Sequence, residues 1–221
     1  MLRYVAWGYP RNVGLRERKK EQTRQRIVET AQRLFGERGF DAVTVAELAR
    51  AAEVAEATLF NYFPSKEDLF YSGLEAFGER LIDAVRSRPA GEAVLVTVRS
   101  VVLATGGQLA QVAAGDRAAL ERARTTAQVI SASPALRSRE RQALATIAGD
   151  LAAALGDDPV SRAMANALMG VHSALVEYAR NRLLANDRPS AIAADVRTYG
   201  ERAFALLESG LTDFARAAEP V

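Results

Sequence analysis

The chain has 221 residues, of which 49% are hydrophobic and 25% charged, with no cysteine and a net charge of +2. These proportions suit one or two globular domains with a sizeable core, and they exclude disordered, collagen-like and fibrous classes. Disulfides and thiolate metal sites are excluded outright, and a cytoplasmic location fits the missing cysteine.

The charge is unevenly spread. Residues 1–26 hold eight Arg or Lys against two Glu, whereas residues 27–70 hold four against eight acidic residues, and the remaining charges cancel. A basic run alone reads as a solvated tail, and only a motif beside it can give its charge a use.

Residues 1–10 have neither the long apolar core nor the small-residue cleavage site of a signal peptide. Residues 1–15 are expected to form a loose tail, with 1–12 upstream of the natural start. A first helix is predicted over about 18–38, with Ile27, Ala31, Leu34 and Phe35 as its apolar stripe and Gly36 and Gly39 at its end. Thr44 followed by Glu47 has capping-box spacing, and Val45, Leu48 and Ala49 give the next helix one buried face. Ala52-Glu53-Val54 interrupts that pattern, and a third helix follows over about 55–62, stopped by Pro64. Two short helices joined by a tight turn form a helix-turn-helix, whose second helix can enter the major groove. A fourth helix is predicted from Ser65 to about Arg88.

Beyond it, Pro89, Pro134, Pro159 and Pro189 punctuate the sequence as prolines at helix starts do. They divide it into helices near 91–114, 116–131, 134–155, 159–186 and 190–218, nine in all, with Gly106-Gly107 kinking the first of these. The fold class is therefore all-α. No nucleotide-binding glycine loop, Gly-x-Ser-x-Gly elbow or His-Glu-x-x-His sequence occurs, so an enzyme is not expected. No cofactor or metal is expected either, because His172 is the only histidine. That residue reads as a core or interface histidine, with ligand contact as the second reading.

The run from Arg16 to Leu69 resembles the DNA-binding domain of the tetracycline-repressor-like (TetR) family of bacterial transcription regulators. The matching residues are Thr23-Arg24, Ile27, Ala31, Leu34-Phe35, Gly39-Phe40, Thr44-Val45, Leu48-Ala49, Ala52, Val54, Thr58-Leu59-Phe60, Tyr62-Phe63, Lys66-Glu67 and Leu69. The resemblance implies a nine-helix fold, with residues 16–64 as DNA-binding domain and 65–221 as ligand-binding and dimerisation domain. It also implies a homodimer on a near-palindromic operator, released when a small-molecule effector moves the fourth helix. By the same resemblance Thr44, Thr58, Tyr62 and Lys66 hold phosphates, while Ala55, Glu56, Ala57, Phe60 and Asn61 face the bases. Asn61 is suited to pair with adenine, and Phe60 to meet a thymine methyl.

Two residues depart from the family pattern. Ala55 stands where a capping side chain is usual, at a cost of about 1 kcal/mol, and Glu56 stands where a basic or neutral residue is common. With the acidic balance of residues 27–70, this predicts that affinity depends on the basic stretch Arg16, Arg18, Lys19, Lys20, Arg24 and Arg26. An activator, a loosely specific nucleoid-type binder, or a dimeric interaction module with a degenerate DNA-binding head are the alternatives.

For the second domain, Phe77, Leu81, Val101, Met164, Leu168 and His172 are candidate cavity residues, with Gln108, Arg122 and Thr126 to orient a ligand. The same apolar residues at helical spacing also read as plain core. Sparse aromatics and many small aliphatics favour an aliphatic or acyl ligand. The long stripes Ala163, Ala167, Val171, Leu175, Tyr178 and Phe204, Leu207, Leu211, Phe214 exceed what one core needs and are expected to meet a partner copy.

Overall fold

The computed structural model describes residues 14–104, 112 and 115–210, and among them every regular element is a helix. Residues 1–12, Gly106-Gly107, Gln108, Leu211 and Phe214, which carried expectations above, lie outside the described residues. Two compact units divide at Phe70/Tyr71.

The first unit contains α1 (Leu15–Arg38), α2 (Val45–Ala51), α3 (Glu56–Tyr62) and α4 (Lys66–Phe70). Helix α1 begins three residues earlier than predicted, so Arg16 is helical together with the rest of the basic stretch. Ile27, Ala31 and Phe35 of α1 are buried together with Phe40, Val43, Leu48, Leu59, Phe63 and Leu69. Phe35, Phe40 and Phe70 form an aromatic triangle, with centroids 5.0 to 5.7 Å apart. Such tilted and edge-on pairs stabilise beyond their burial.

The capping box at α2 is complete. The Thr44 hydroxyl accepts from the Glu47 N–H, and the Glu47 carboxylate accepts from the Thr44 N–H at 2.8 Å. Arg38 donates to the same carboxylate at 2.8 Å. The Thr44 N–H, and then Arg38, pull the Glu47 pKa down to about 2. At its other end α2 closes with Val54 N–H on the Ala49 carbonyl and Glu53 N–H on the Arg50 carbonyl, the Schellman arrangement. Glu53 lies at φ 54°, the left-handed position that glycine normally fills.

The second unit contains α5 (Ser72–Ser87), α6 (Val94–Val102), α7 (Arg117–Ala132), α8 (Pro134–Leu155), α9 (Pro159–Leu184) and α10 (Pro189–Ser209). Prolines open α8, α9 and α10 as predicted. The single fourth helix read from the sequence is instead two, α4 and α5, because Tyr71 takes φ −93° and ψ 15° at the start of α5. Ten helices therefore occur among the described residues where nine were predicted. The core joins Leu81 and Val85 of α5, Val98 of α6, Leu151 of α8, Leu168 and Met169 of α9 and Phe204 of α10. A smaller cluster packs Ala119, Ala123 and Ala127 of α7 against Leu183 and Ile192. Among the described residues no helix is long and apolar enough to cross a membrane.

Replacing Glu53 by glycine relieves the left-handed strain at the helix-turn-helix turn. Chemical unfolding of Glu53→Gly should show a gain of about 1 kcal/mol over the parent, and Glu53→Ala should show none.

Candidate nucleic-acid interface and ligand cavity

Helix α3 is seven residues long and has two distinct faces. Leu59 is fully buried, and Phe63, which closes the helix, is nearly so. Ala55, Glu56, Ala57, Phe60 and Asn61 are exposed, and Thr58 and Tyr62 are half-buried at the margins. The five residues expected to face bases therefore share the solvent side of one short helix. Phe60 remains 46% exposed, and nothing in the packing of this unit requires a large aromatic ring there. Ala55 occupies the N-cap without a side-chain hydrogen bond, as its residue type dictates.

The residues expected to hold phosphates have other partners as well. The Thr44 hydroxyl donates to Glu47 at 2.8 Å, so its one proton is committed to the capping box. A phosphate contact from this hydroxyl would therefore compete with the capping box for the same rotatable proton. Lys66 donates from Nζ to the carbonyls of Phe40 at 2.9 Å and Val43 at 3.0 Å, with its ammonium 4.1 Å from the Phe40 ring centroid. One N–H of its three remains for another acceptor. Lys66 therefore ties the loop between α1 and α2 to the start of α4, a role its place in the sequence did not disclose. Arg24 lies over the Phe63 ring at 5.2 Å, while Arg16, Arg18, Lys19, Lys20 and Arg26 are exposed along α1.

Within the second unit, a cavity of about 340 Å³ opens among α6, α7, α8, α9 and α10. Of the residues proposed from sequence, His172 and Thr126 line it. Phe77 instead stacks on His172, ring centroids 4.4 Å apart and planes at 12°. Leu81 is fully enclosed in the core at 0% exposure, and Leu168, 1% exposed, belongs to the same core and also borders a smaller cavity beside Met164. Val101 packs on that core, Arg122 is exposed, and Met164 borders a separate, smaller cavity with Val160 and Leu95. The residues missed are Glu140 and Arg180, which form an ion pair at the cavity wall. Separated by 40 positions, and with Glu140 inside an Arg-Glu-Arg run that reads as solvated surface, they gave no common pattern.

The expected partner seam is also revised. Phe204 is fully enclosed by its own core and Leu207 packs against it, so Phe204 has no surface for a second copy. Leu175 is buried and turned to the cavity. A helix enclosed on several sides carries more than one apolar stripe, and spacing does not say which stripe meets its own core. Ala163 is exposed, and Ala167 and Val171 are half-buried. The Tyr178 hydroxyl donates to Asp195 at 2.8 Å and accepts from Arg182, joining α9 to α10, with Tyr199 edge-on at 5.2 Å. Among the described residues no group of His, Asp or Glu is placed to hold a metal.

Burial lowers the His172 pKa from its ordinary 6.5 to about 4, so the ring is neutral at neutral pH. The unfolded chain then binds a proton that the folded chain refuses. This stability is complete above pH 6.5 and is lost as pH falls towards 4. Urea unfolding should show a loss of about 1 kcal/mol from this residue between pH 7.5 and 5.5. His172→Phe, which keeps the stack, should abolish that part of the slope. Separately, Lys66→Met should lower the stability of the first unit by about 2 kcal/mol in chemical unfolding, through the two lost charge-assisted bonds.

Residues 27–72 match the family described as bacterial regulatory proteins, tetR family. The HTH-type transcriptional regulator TcmR of Streptomyces glaucescens is 35% identical over 100 residues, 45% of this chain and 44% of that protein. The HTH-type transcriptional repressor KstR of Rhodococcus jostii is 38% identical over 72 residues, 33% of this chain and 34% of that protein. The chain thus spans less than half the length of these relatives. In fold, it is similar to a TetR-family transcriptional regulator from Syntrophomonas wolfei, with a TM-score of 0.56 at 18% identity. That alignment covers 88% of this chain and 98% of the other.

Proposed function

We propose that the chain, whose residues 27–72 match the family described as bacterial regulatory proteins, tetR family, is a DNA-binding transcriptional regulator and not an enzyme. It acts as a homodimeric repressor on a near-palindromic operator in the bacterial cytoplasm, and a small molecule releases it. The observation that carries this reading is the exposed face of α3, where Glu56, Phe60 and Asn61 stand outward over the buried Leu59.

Each residue then has a distinct role. Asn61 pairs with adenine, Phe60 meets a thymine methyl, and Glu56 accepts from a cytosine amino group instead of repelling phosphate. Thr58, Tyr62 and the remaining N–H of Lys66 contact the backbone and fix register. Arg16, Arg18, Lys19, Lys20 and Arg26 supply attraction that is independent of sequence, offsetting the acidic balance of the motif itself. In the dimer the two α3 helices lie roughly 34–36 Å apart, one helical turn of DNA.

The cavity among α6 to α10 receives the effector, an aliphatic or acyl compound, with His172 and Thr126 as polar contacts. Release requires that the effector bind the DNA-free state more tightly than the DNA-bound state, and the coupling cannot exceed that difference.

Footprinting on genomic fragments at physiological salt should protect one near-palindrome. Salt-sensitive smearing alone would leave the nucleoid-type reading, and no binding at all the interaction module. Arg18→Gln/Lys19→Gln/Lys20→Gln should flatten the slope of log affinity against log salt by about one unit per lost contact, leaving the protected sequence unchanged. Asn61→Ala should instead cost about 1–3 kcal/mol and relax specificity at one base pair.

A further inference from the structure

The cavity in the second unit also restricts what can occupy it. Its volume of about 340 Å³ lies at the small end of ligand sites, which span roughly 300–1,000 Å³. The wall is mostly aliphatic and includes Val102, Ile130, Leu175 and Val196, with no aromatic ring other than the His172 imidazole among the lining residues. The polar interruptions are Thr126, Glu140, His172 and Arg180.

Among the described lining residues only Glu140 and Arg180 carry full charges, and each is the other's partner. Their side chains are 16% and 15% exposed, so the pair is largely withdrawn from water. Tyr71 is a further titratable group near the pair; burial, and then Glu140, raise its pKa, so its phenol stays neutral. The His172 ring, held flat against Phe77, is neutral as well. Among the described lining residues the charge is therefore already cancelled.

We propose that this cavity selects an uncharged, mainly aliphatic molecule with one hydroxyl or carbonyl group, and rejects carboxylates and ammonium compounds of the same size. The inference rests on the reading of the cavity as the effector site. A carboxylate could gain Arg180 only by displacing Glu140, which would be left buried and unpaired, and an ammonium would strand Arg180 in the same way. Separating a buried pair by losing one partner is strongly unfavourable, and here it should weaken binding by roughly a hundredfold or more. A neutral imidazole has one N–H donor and one acceptor nitrogen, so His172 can meet either an alcohol or a ketone. An acyl effector would accordingly enter as an ester, amide or ketone, not as a free acid.

The test uses four probes of matched chain length, 1-decanol, 2-decanone, decanoate and decylammonium, titrated calorimetrically into the full chain at neutral pH. The expected result is binding of the alcohol or ketone at least a hundredfold tighter than either ion. Equal or tighter binding of an ion, or failure of all four to bind, would overturn the proposal. Glu140→Gln frees Arg180 and should raise decanoate affinity at least tenfold; an unchanged preference in a folded variant would also count against it. Footprinting with the same probes separates the two readings. Selective alcohol binding that leaves DNA bound defeats effector release but not the selectivity, whereas release by decanoate defeats the selectivity but not effector release.

Discussion

An isolated helix of seven residues has no standing in water, because nucleation costs more than so few hydrogen bonds return. Helix α3 persists because Leu59 and Phe63 are anchored in the core that α1 and α2 share with it. The anchoring does more than stabilise. It fixes the rotation of the helix, so that Ala57, Phe60 and Asn61 point outward while Thr58 stays at the margin. Reading surface and packing surface are complementary halves of one object, and the proposed DNA contact inherits its geometry from two buried side chains.

The surrounding polar network supports the same end. Thr44 and Glu47 start α2, Arg38 pins Glu47, and Lys66 closes the loop from Phe40 to Val43 through two backbone carbonyls. Thr44 and Lys66 are of residue types that contact phosphate, yet much of their hydrogen-bonding capacity is used inside the protein. The division of labour shifts accordingly. Groups close to the motif preserve its shape, and the exposed cations of α1 are left to provide attraction. The acidic residues of the motif are compatible with this, because a surface that attracts little by itself leaves more of the discrimination to base contacts.

In the second unit a largely buried ion pair and a half-buried histidine border one cavity, and each makes a demand on its surroundings. Glu140 and Arg180 tolerate burial because each is the other's counter-ion. His172 tolerates it by remaining neutral and stacking on Phe77. Neither arrangement follows from a need for stability, since aliphatic residues of similar volume would fill the space as well. Their presence at the wall of a small apolar cavity is what gives this unit chemical character.

The sequence by itself determined the helical class, the starts of α8, α9 and α10, the capping box at Thr44 and the place of the helix-turn-helix. Proline, capping residues and short-range apolar spacing act within a few residues, so their consequences are local and can be read along the chain. The outward residues of α3 came instead from the family resemblance, and their exposure follows from the burial of Leu59 and Phe63. What only the tertiary structure decided were relations across distance: Lys66 meeting Phe40 and Val43, Glu140 meeting Arg180, and Phe204 turned to its own core. The break at Tyr71 belongs with these, since neither proline nor glycine marks it. A side chain buried on one helix and its partner many positions away share no pattern in one dimension, and packing alone brings them together.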